Sequence, residues 1–456
     1  MTATTPDSDE RTRGRTGTAG LSVTTIATPG DASCGIGTYN RDLRTALDEL
    51  EADRSGGGSG ATAGERVTGT VSDDQPPSDA PVTTDAIELE QDYPTAGHFL
   101  SVVLRAAARD SDVVHVQHEY GLFRRPGSSY PGLLGVVFFP VLWLVTRLRR
   151  KALVVTLHSV LSPAPEEASF ATRCYLLAMH ELIARVADHV IFLSADCEER
   201  FHEDVAQDPS EYSVLPHGVN VRDSSPVGQA VARSRFGFDP EDEIVVVPGF
   251  VRPPKGQDIF VEVAQHLPAV EFLIAGGARP KGFDQEFVAE VEAEAPSNVT
   301  ITGVLDDDEF PVALATADLA LLPYRVVTQS GTFNWCAAEE LPVLASDRSY
   351  FRQIEDEWNA LESVGLDDTA AIADRVEALL ADDERRTALA DDIRAYKEAN
   401  SFETVATEHL QIYRRILGGV PVRQVEDPDD STRIPIDDES MLAACSAQRE
   451  ATASSD

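Results

Sequence analysis

Along the chain, short apolar runs of β type alternate with segments whose apolar residues recur at helical spacing. Leu21 to Ala27 reads as a strand, and the helix after it carries Tyr39, Leu43, Leu47 and Leu50 on one face. A helix near 96–109 leads to the strand Val113 to Val116. The strand Ala152 to Leu157, a helix over roughly 166–186 and the strand His189 to Leu193 follow, and the segment 213–223 closes this first series. A second series opens with Ile244 to Val247, a helix near 256–267 and Glu271 to Ala275. It continues through a helix near 283–294, Val299 to Thr302, a helix near 307–316, Leu319 to Leu322 and, after a further helix, Pro342 to Ala345. Strands separated by helices assemble into parallel sheets covered on both faces. The pattern predicts an α/β fold of two Rossmann-like doubly wound domains, 21–224 and 225–400, with an amphipathic helix at 401–420. It does not give the strand order.

Three polar stretches fall outside this rhythm. Residues 1–20 and the acidic, Ser- and Asp-rich 421–456 are expected to be disordered tails. Residues 53–85, rich in Gly, Ser, Asp and Pro, are expected to be a flexible insertion. An apolar stretch also departs from it: LLGVVFFPVLWLV, 133–145, runs into Arg147, Leu148, Arg149, Arg150 and Lys151. It is too short to span about 30 Å of hydrocarbon and is interrupted by Pro140. An apolar segment with a basic edge predicts a membrane-surface helix over 133–151, and the alternative is an ordinary buried helix.

Charge changes this picture in one respect. The chain has 456 residues, 38 Lys and Arg against 77 Asp and Glu, and a formal net charge of −39. Such acidity argues against nucleic-acid binding, which needs clustered positive charge. A high-salt cytoplasm accounts for it, because repulsion among surface carboxylates is then screened within about 3 Å. An acidic mesophilic protein is the other reading. The five cysteines are scattered without a CxxC pair, which favours a reducing compartment and no cysteine metal site. The N-terminus has no apolar signal-peptide core, so a cytoplasmic location, at the inner face of a membrane if 133–151 binds one, is the expectation.

The candidate chemistry lies after the strands. In IVVVPGFVRPPKG, 244–256, a strand runs into a loop carrying Arg252 and Lys255 before a helix begins. A helix N-terminus and two cations at the carboxyl edge of a sheet make an anion site. Tyr324 ends a later strand of the same domain, and Gln329, Ser330, Gly331 and Thr332 lead into another helix. The first domain supplies Gly35 and Gly37 after strand one, His118 and Glu119 after the second strand of this reading, and His158 after the next. Polar groups gathered at these edges predict one interdomain cleft.

The ordered set QHEYGLF (117–123), VVTLHSV (154–160), LPHGVNV (215–221), GFVRPPKG (249–256), LIAGG (273–277), LPYR (322–325) and TQSG (328–331) resembles glycosyltransferases of the GT-B fold. It looks most like the family-4, group 1 retaining type, in the branch with QHEYG and GFxRPxKG, over roughly 21–417. The resemblance implies that a sugar moves from a nucleotide-sugar donor to a glycan or lipid-linked acceptor. It implies retention, no metal and no cofactor, and a last helix that returns to the first domain. It further implies that Arg252 and Lys255 contact the donor diphosphate, Gln329 to Thr332 surround phosphate and sugar, and Gly303 and Val304 lie by the nucleobase. Gly35 and Gly37 would let backbone approach phosphate or acceptor, and His158 would lie near the transferring sugar. The run Asp306 to Asp308 reads as a helix start, not a metal motif. Where relatives carry two glutamates in an E-x7-E pattern, this chain has Thr328 and Cys336, leaving Glu339 as the remaining carboxylate candidate. Glu340 stands where relatives usually have glycine. A degenerate nucleotide-sugar-binding or scaffolding protein is therefore the alternative function, and a phosphorylase or epimerase on the same fold a third.

Overall fold

A computed structural model describes residues 20–30, 35–56, 81–89, 95–123, 134–161, 169–221, 224–278 and 284–418, with side chains of 51–56 excepted. The first sheet is six-stranded and parallel, in the order β2-β1-β3-β4-β5-β6. Its strands are β1 (Leu21–Ala27), β2 (Val82–Glu88), β3 (Val113–His118), β4 (Ala152–Leu157), β5 (His189–Phe192) and β6 (Tyr212–Val214). The helix α1 (Gly35–Gly56) covers one face. On the other face lie α2 (Ala96–Ala108), α3 (Leu134–Arg149), α4 (Phe170–Val186) and α5 (Ala195–Asp204). Right-handed crossovers dictate this split: only the β1-to-β2 step moves left, so only α1 lies on its side of the sheet.

The second sheet repeats the design in the order β12-β11-β10-β7-β8-β9. It contains β7 (Ile244–Pro248), β8 (Glu271–Ala275), β9 (Val299–Ile301), β10 (Leu319–Leu322), β11 (Val343–Ser346) and β12 (Glu362–Val364). Around them pack α6 (Gln229–Phe236), α7 (Gln257–His266), α8 (Gln285–Glu294), α9 (Glu309–Leu314), α10 (Gly331–Ala338), α11 (Ser349–Trp358), α12 (Thr369–Ala381) and α13 (Asp383–Ala399). The final helix α14 (Phe402–Gly418) leaves this domain and buries Phe402, Val405, Leu410 and Tyr413 against Tyr39, Leu43 and Leu47 of α1.

Four expectations change. The insertion placed at 53–85 is narrower, because α1 continues through Gly56 and β2 begins at Val82. Most of that stretch, and nearly all of both tails, lie outside the described residues. Strand β2 was missed because VTTDAIE is a half-buried edge strand with little apolar content. Lys151 does not belong to a basic surface edge: it is buried, and its ammonium donates to Ala106 O (2.8 Å), Arg109 O and Ser111 Oγ (3.2 Å), closing the end of α2. Finally, α3 is half buried. Phe138, Phe139 and Leu142 face the core while Val137, Val141, Leu144 and Leu148 face outward.

Candidate functional site

Strand alternation sorts the first domain's polar groups by face. On β3 and β4, Val114, Val116, Leu153, Val155 and Leu157 point to the helical layer of α2 to α5. The intervening His115, Gln117, Thr156 and, one step beyond, His158 therefore share the face covered by α1 and α14. There they form a buried chain. His158 Nε2 lies 2.9 Å from Gln117 Oε1, and Gln117 Nε2 lies 3.5 Å from His115 Nε2. The His115 ring also meets Thr156 Oγ1 and Tyr413 OH, each at 2.7 Å. Burial, then the neighbouring His217 and His118, hold the His158 imidazole well below the usual histidine range, so it is neutral. With Nε2 donating to the glutamine carbonyl, Nδ1 is left as an acceptor. Tyr39 packs edge-on against the ring at 4.9 Å.

His118 falls on the other face. It is buried between Tyr120 and Phe139, with ring centroids 5.1 and 5.4 Å away, and burial lowers its pKa to about 3. It is a core residue beneath α3, so its expected place in a phosphate or acceptor loop is corrected. Glu119 turns back toward the cleft. Burial raises its carboxyl pKa, opposed in part by Ser159 Oγ, which donates to Oε2 at 2.7 Å, by the amides of Tyr120 and Gly121, and by the charge of Arg252 in the second domain. Gly37 is required for packing, since a Cβ there would strike the Pro29 carbonyl as α1 starts. Gly35 begins that helix with open space around it.

In the second domain, β7 delivers the chain to Gly249, and a short 3-10 turn, Pro253–Lys255, precedes α7. Gly256 joins turn to helix at φ +72°, where a side chain would also meet the Pro323 carbonyl. Gln257 Nε2 donates to Phe250 O at 3.2 Å while its Oε1 accepts from Arg252 N at 3.2 Å, fixing the loop. Arg325 clamps it from outside through Pro253 O (2.9 Å) and a two-point pair with Asp258 (2.8 and 2.6 Å). Lys255 Nζ lies 3.7 Å from the centroid of the Tyr324 ring and 3.5 Å from Thr332 Oγ1. Burial, then the charge of Arg252, lowers the Lys255 pKa to about 7. Tyr324 itself is fully buried, so it supports Lys255 and does not face the cleft. Arg252 is over a third exposed, with Nε 3.6 Å from Asp284 Oδ2.

Opposite this loop, Ser330 Oγ caps α10 by accepting from Phe333 N at 3.1 Å. The carbonyl oxygen of the Gln329 side chain is buried with no hydrogen-bond partner among the described residues. An orphaned acceptor costs about 1–3 kcal/mol and is satisfied by a ligand donor. Gly303, at φ +76°, and the half-exposed Val304 follow β9 and press against Gly277. Asp306 Oδ1 accepts from Asp308 N and Glu309 N at 3.0 and 2.8 Å, making this acidic run the start of α9.

The carboxylate candidate Glu339 is engaged by the interdomain linker: its Oε1 accepts from Ser225 N, and it also acts on the neighbouring Cys336. Cys336 is buried, with its thiol pushed up to about 12 by burial and Glu339. His217 was missed as a site residue, although LPHG signalled it. Asn334 Nδ2 of α10 donates to the His217 carbonyl at 2.7 Å, and a Cβ on Gly331 would lie 3.5 Å from His217 Nε2. The two domains also meet through Ser194 Oγ, which donates to Thr328 O at 2.9 Å. A cavity of about 390 Å³ between α1, α13 and α14 is lined by Asp42, Glu49, Glu398 and Glu403. Four carboxylates make this an acidic cavity that disfavours an anion.

Residues 241–382 match the family model for glycosyl transferases group 1. The D-inositol 3-phosphate glycosyltransferase of Segniliparus rotundus is 28% identical over 247 residues, covering 48% of this chain and 51% of that protein. The alpha-galactosylglucosyldiacylglycerol synthase of Streptococcus pneumoniae is 28% identical over 145 residues, covering 31% of this chain and 39% of that one. The chain thus spans about half the length, or less, of these curated relatives. Among solved structures, Anabaena HepE in complex with UDP superposes with a TM-score of 0.62 at 16% identity, over 88% of this chain and 100% of that one. Sucrose-phosphate synthase from Thermosynechococcus elongatus does so with 0.62 at 17%, over 88% and 100%. The fold is GT-B, and residues 241–382, which hold all six strands of the second sheet with Arg252, Lys255 and the Gln329–Thr332 loop, are the segment similar to group 1 glycosyl transferases.

Proposed function

We propose that the chain is a retaining, family-4-type glycosyltransferase that moves a sugar from a nucleotide-sugar to a glycan or lipid-linked acceptor at the inner face of a membrane. The observation that carries this reading is the facing pair of anion-binding loops. Arg252 and Lys255 enter α7, while Gln329 to Thr332 enter α10, and Lys255 Nζ bridges toward Thr332 Oγ1. Helix N-termini and fixed cations on two neighbouring strands suit a diphosphate. The UDP bound by HepE makes uridine donors the first to try.

The chemistry asked of these groups is electrostatic. As the bond from the anomeric carbon to the diphosphate oxygen breaks, negative charge collects on the leaving group and the sugar becomes oxocarbenium-like. Arg252 and Lys255 meet that charge, stabilising the transition state more than the ground state, in place of a metal. The acceptor hydroxyl then bonds to the same face of that carbon and passes its proton to the departing phosphate. Neutral His158, with Nδ1 accepting, would hold a sugar hydroxyl, and Glu119 would hold the acceptor side of the cleft.

A binding or scaffolding role is the second reading, favoured by the neutral Cys336 and by Glu339 being tied to the linker. A screen of UDP-, GDP- and ADP-sugars by thermal shift and hydrolysis at high salt separates the two. Binding with hydrolysis or transfer, insensitive to a chelator, is the expected result. Binding without turnover on any extracted lipid acceptor would transfer the assignment to the scaffold. Lys255→Ala should weaken donor binding by about tenfold or more with the melting temperature retained. Unchanged affinity would remove the phosphate grip.

A further inference from the structure

The outward face of α2, α3 and α4 is unlike the rest of the molecule. On α3, Val137, Val141, Leu144 and Leu148 are 59%, 37%, 51% and 74% exposed. Their spacing of four, three and four residues lines them along one side of the helix. Leu100 and Leu104 of the neighbouring α2 are 53% and 58% exposed, and Leu177 of α4, on the other flank, is 40% exposed. Isolated apolar side chains on a surface need no explanation, but three adjacent helices presenting them together do.

Charge sets the same face apart. Asp and Glu make up 77 of the 456 residues, yet α2 and α3 contain none, and α4 contains one, Glu181, paired with its own Arg185. Arg149 and Arg150 follow Leu148 directly, and among the described residues neither has an acidic partner. Among the described residues, the three helices of this face carry a single acidic side chain, Glu181, and Arg149 and Arg150 stand at one end of the face. That is complementary to an apolar layer overlain by phosphates.

We propose that this three-helix face docks on an anionic lipid bilayer, with the α3 stripe entering the headgroup boundary and Arg149 and Arg150 meeting lipid phosphates. No described helix is long and apolar enough to cross a membrane. Moreover, α3 has its other side committed to the core through Phe138, Phe139 and Leu142, so the helix lies along the surface. Helices between parallel strands run against the strand direction, so α3 starts at the carboxyl edge of the sheet. Glu119 and His158 occupy that edge, which would put the cleft's acceptor side close to the lipid. This last step rests on the glycosyltransferase reading; the docking itself does not.

The test is cosedimentation of the full chain with phosphatidylcholine vesicles and with vesicles containing about 30% phosphatidylglycerol, at low and high KCl. The wild type should partition onto the anionic vesicles about tenfold better at low salt. Leu144→Glu with Leu148→Glu should lower partition about tenfold at both salts. Arg149→Glu with Arg150→Glu should do so only at low salt, where headgroup attraction is unscreened. Melting temperature and nucleotide-sugar binding, read on the same samples, should not change, since these side chains touch neither core nor cleft. Wild type left in the supernatant with both vesicles overturns the proposal, as does unaltered binding by the leucine variant or equal partition onto both lipids. A wild-type dimer that the leucine variant dissociates also overturns it, assigning the face to a second copy. Lost vesicle binding with nucleotide-sugar binding kept would leave the enzymatic reading standing.

Discussion

Lys255 is held over the Tyr324 ring where desolvation and Arg252 both penalise its charge, and its pKa falls to about 7. On the proposed reading a bound diphosphate would reverse that penalty, so donor binding would take up a proton whenever the free lysine is neutral. Affinity is therefore expected to be flat below pH 7 and to fall by up to about tenfold per unit above it. Titration calorimetry across pH 6–9 checks the slope, and Lys255→Arg, permanently charged, should remove it. Glu340 shows a different residue-scale conflict. It takes φ +56°, a left-handed conformation that a β-carbon disfavours, and its carboxylate is occupied by Lys397 at 2.9 Å and by Arg394. Glycine, usual at this turn in the resembling family, would relieve the strain but lose both pairs. Alanine loses the pairs and keeps the strain. Glu340→Gly should thus be more stable than Glu340→Ala by about 1 kcal/mol, read from urea midpoints.

At the scale of elements, α14 does more than bridge the domains. Tyr413 reaches the His115 ring at 2.7 Å, and the buried chain continues through Gln117 to His158 at the end of β4. Tyr413→Phe strands a buried ring nitrogen and should cost about 1–3 kcal/mol of stability. If the helix also sets the orientation of His158, kcat should fall with the donor KM unchanged when assayed well below the melting temperature. A lower melting temperature with kcat intact would limit Tyr413 to support. Strands such as β4, β8 and β10 were legible to the residue because they are continuous apolar runs between polar turns. The edge strand β2 was not, since only Val82 and Ile87 of its residues are buried. The positions of Arg252, Lys255 and the 329–332 loop between strand and helix were equally legible, being tied to strand ends. The side-chain directions were not. His118 and Glu119 are adjacent, yet strand alternation buries one and turns the other to the cleft. Glu339 lies near the donor loop in sequence, but the linker amide of Ser225 captures it. The outward stripe of α3 was hidden because its buried positions are just as apolar.

For the whole molecule, the decisive quantity is a formal net charge of −39 spread over one chain. Visible ion pairs such as Arg325 with Asp258, or Glu362 between Arg375 and Arg385, consume only part of the acid. Partly exposed pairs are worth about 0–1 kcal/mol each, so screening them loses little. The unpaired carboxylates repel one another over a screening length of about 10 Å at 0.1 M salt and about 3 Å at 1 M. Raising salt should then remove more repulsion than attraction, while apolar burial in the two sheet cores is not weakened. The melting temperature is expected to climb steadily between about 0.1 M and about 3 M KCl, by calorimetry at constant pH. The Leu144→Glu, Leu148→Glu variant adds two carboxylates, so its climb should be at least as steep. A melting temperature flat or falling with salt would mean that the acid coat is already neutralised by pairing, and the high-salt reading of the composition would have to be withdrawn.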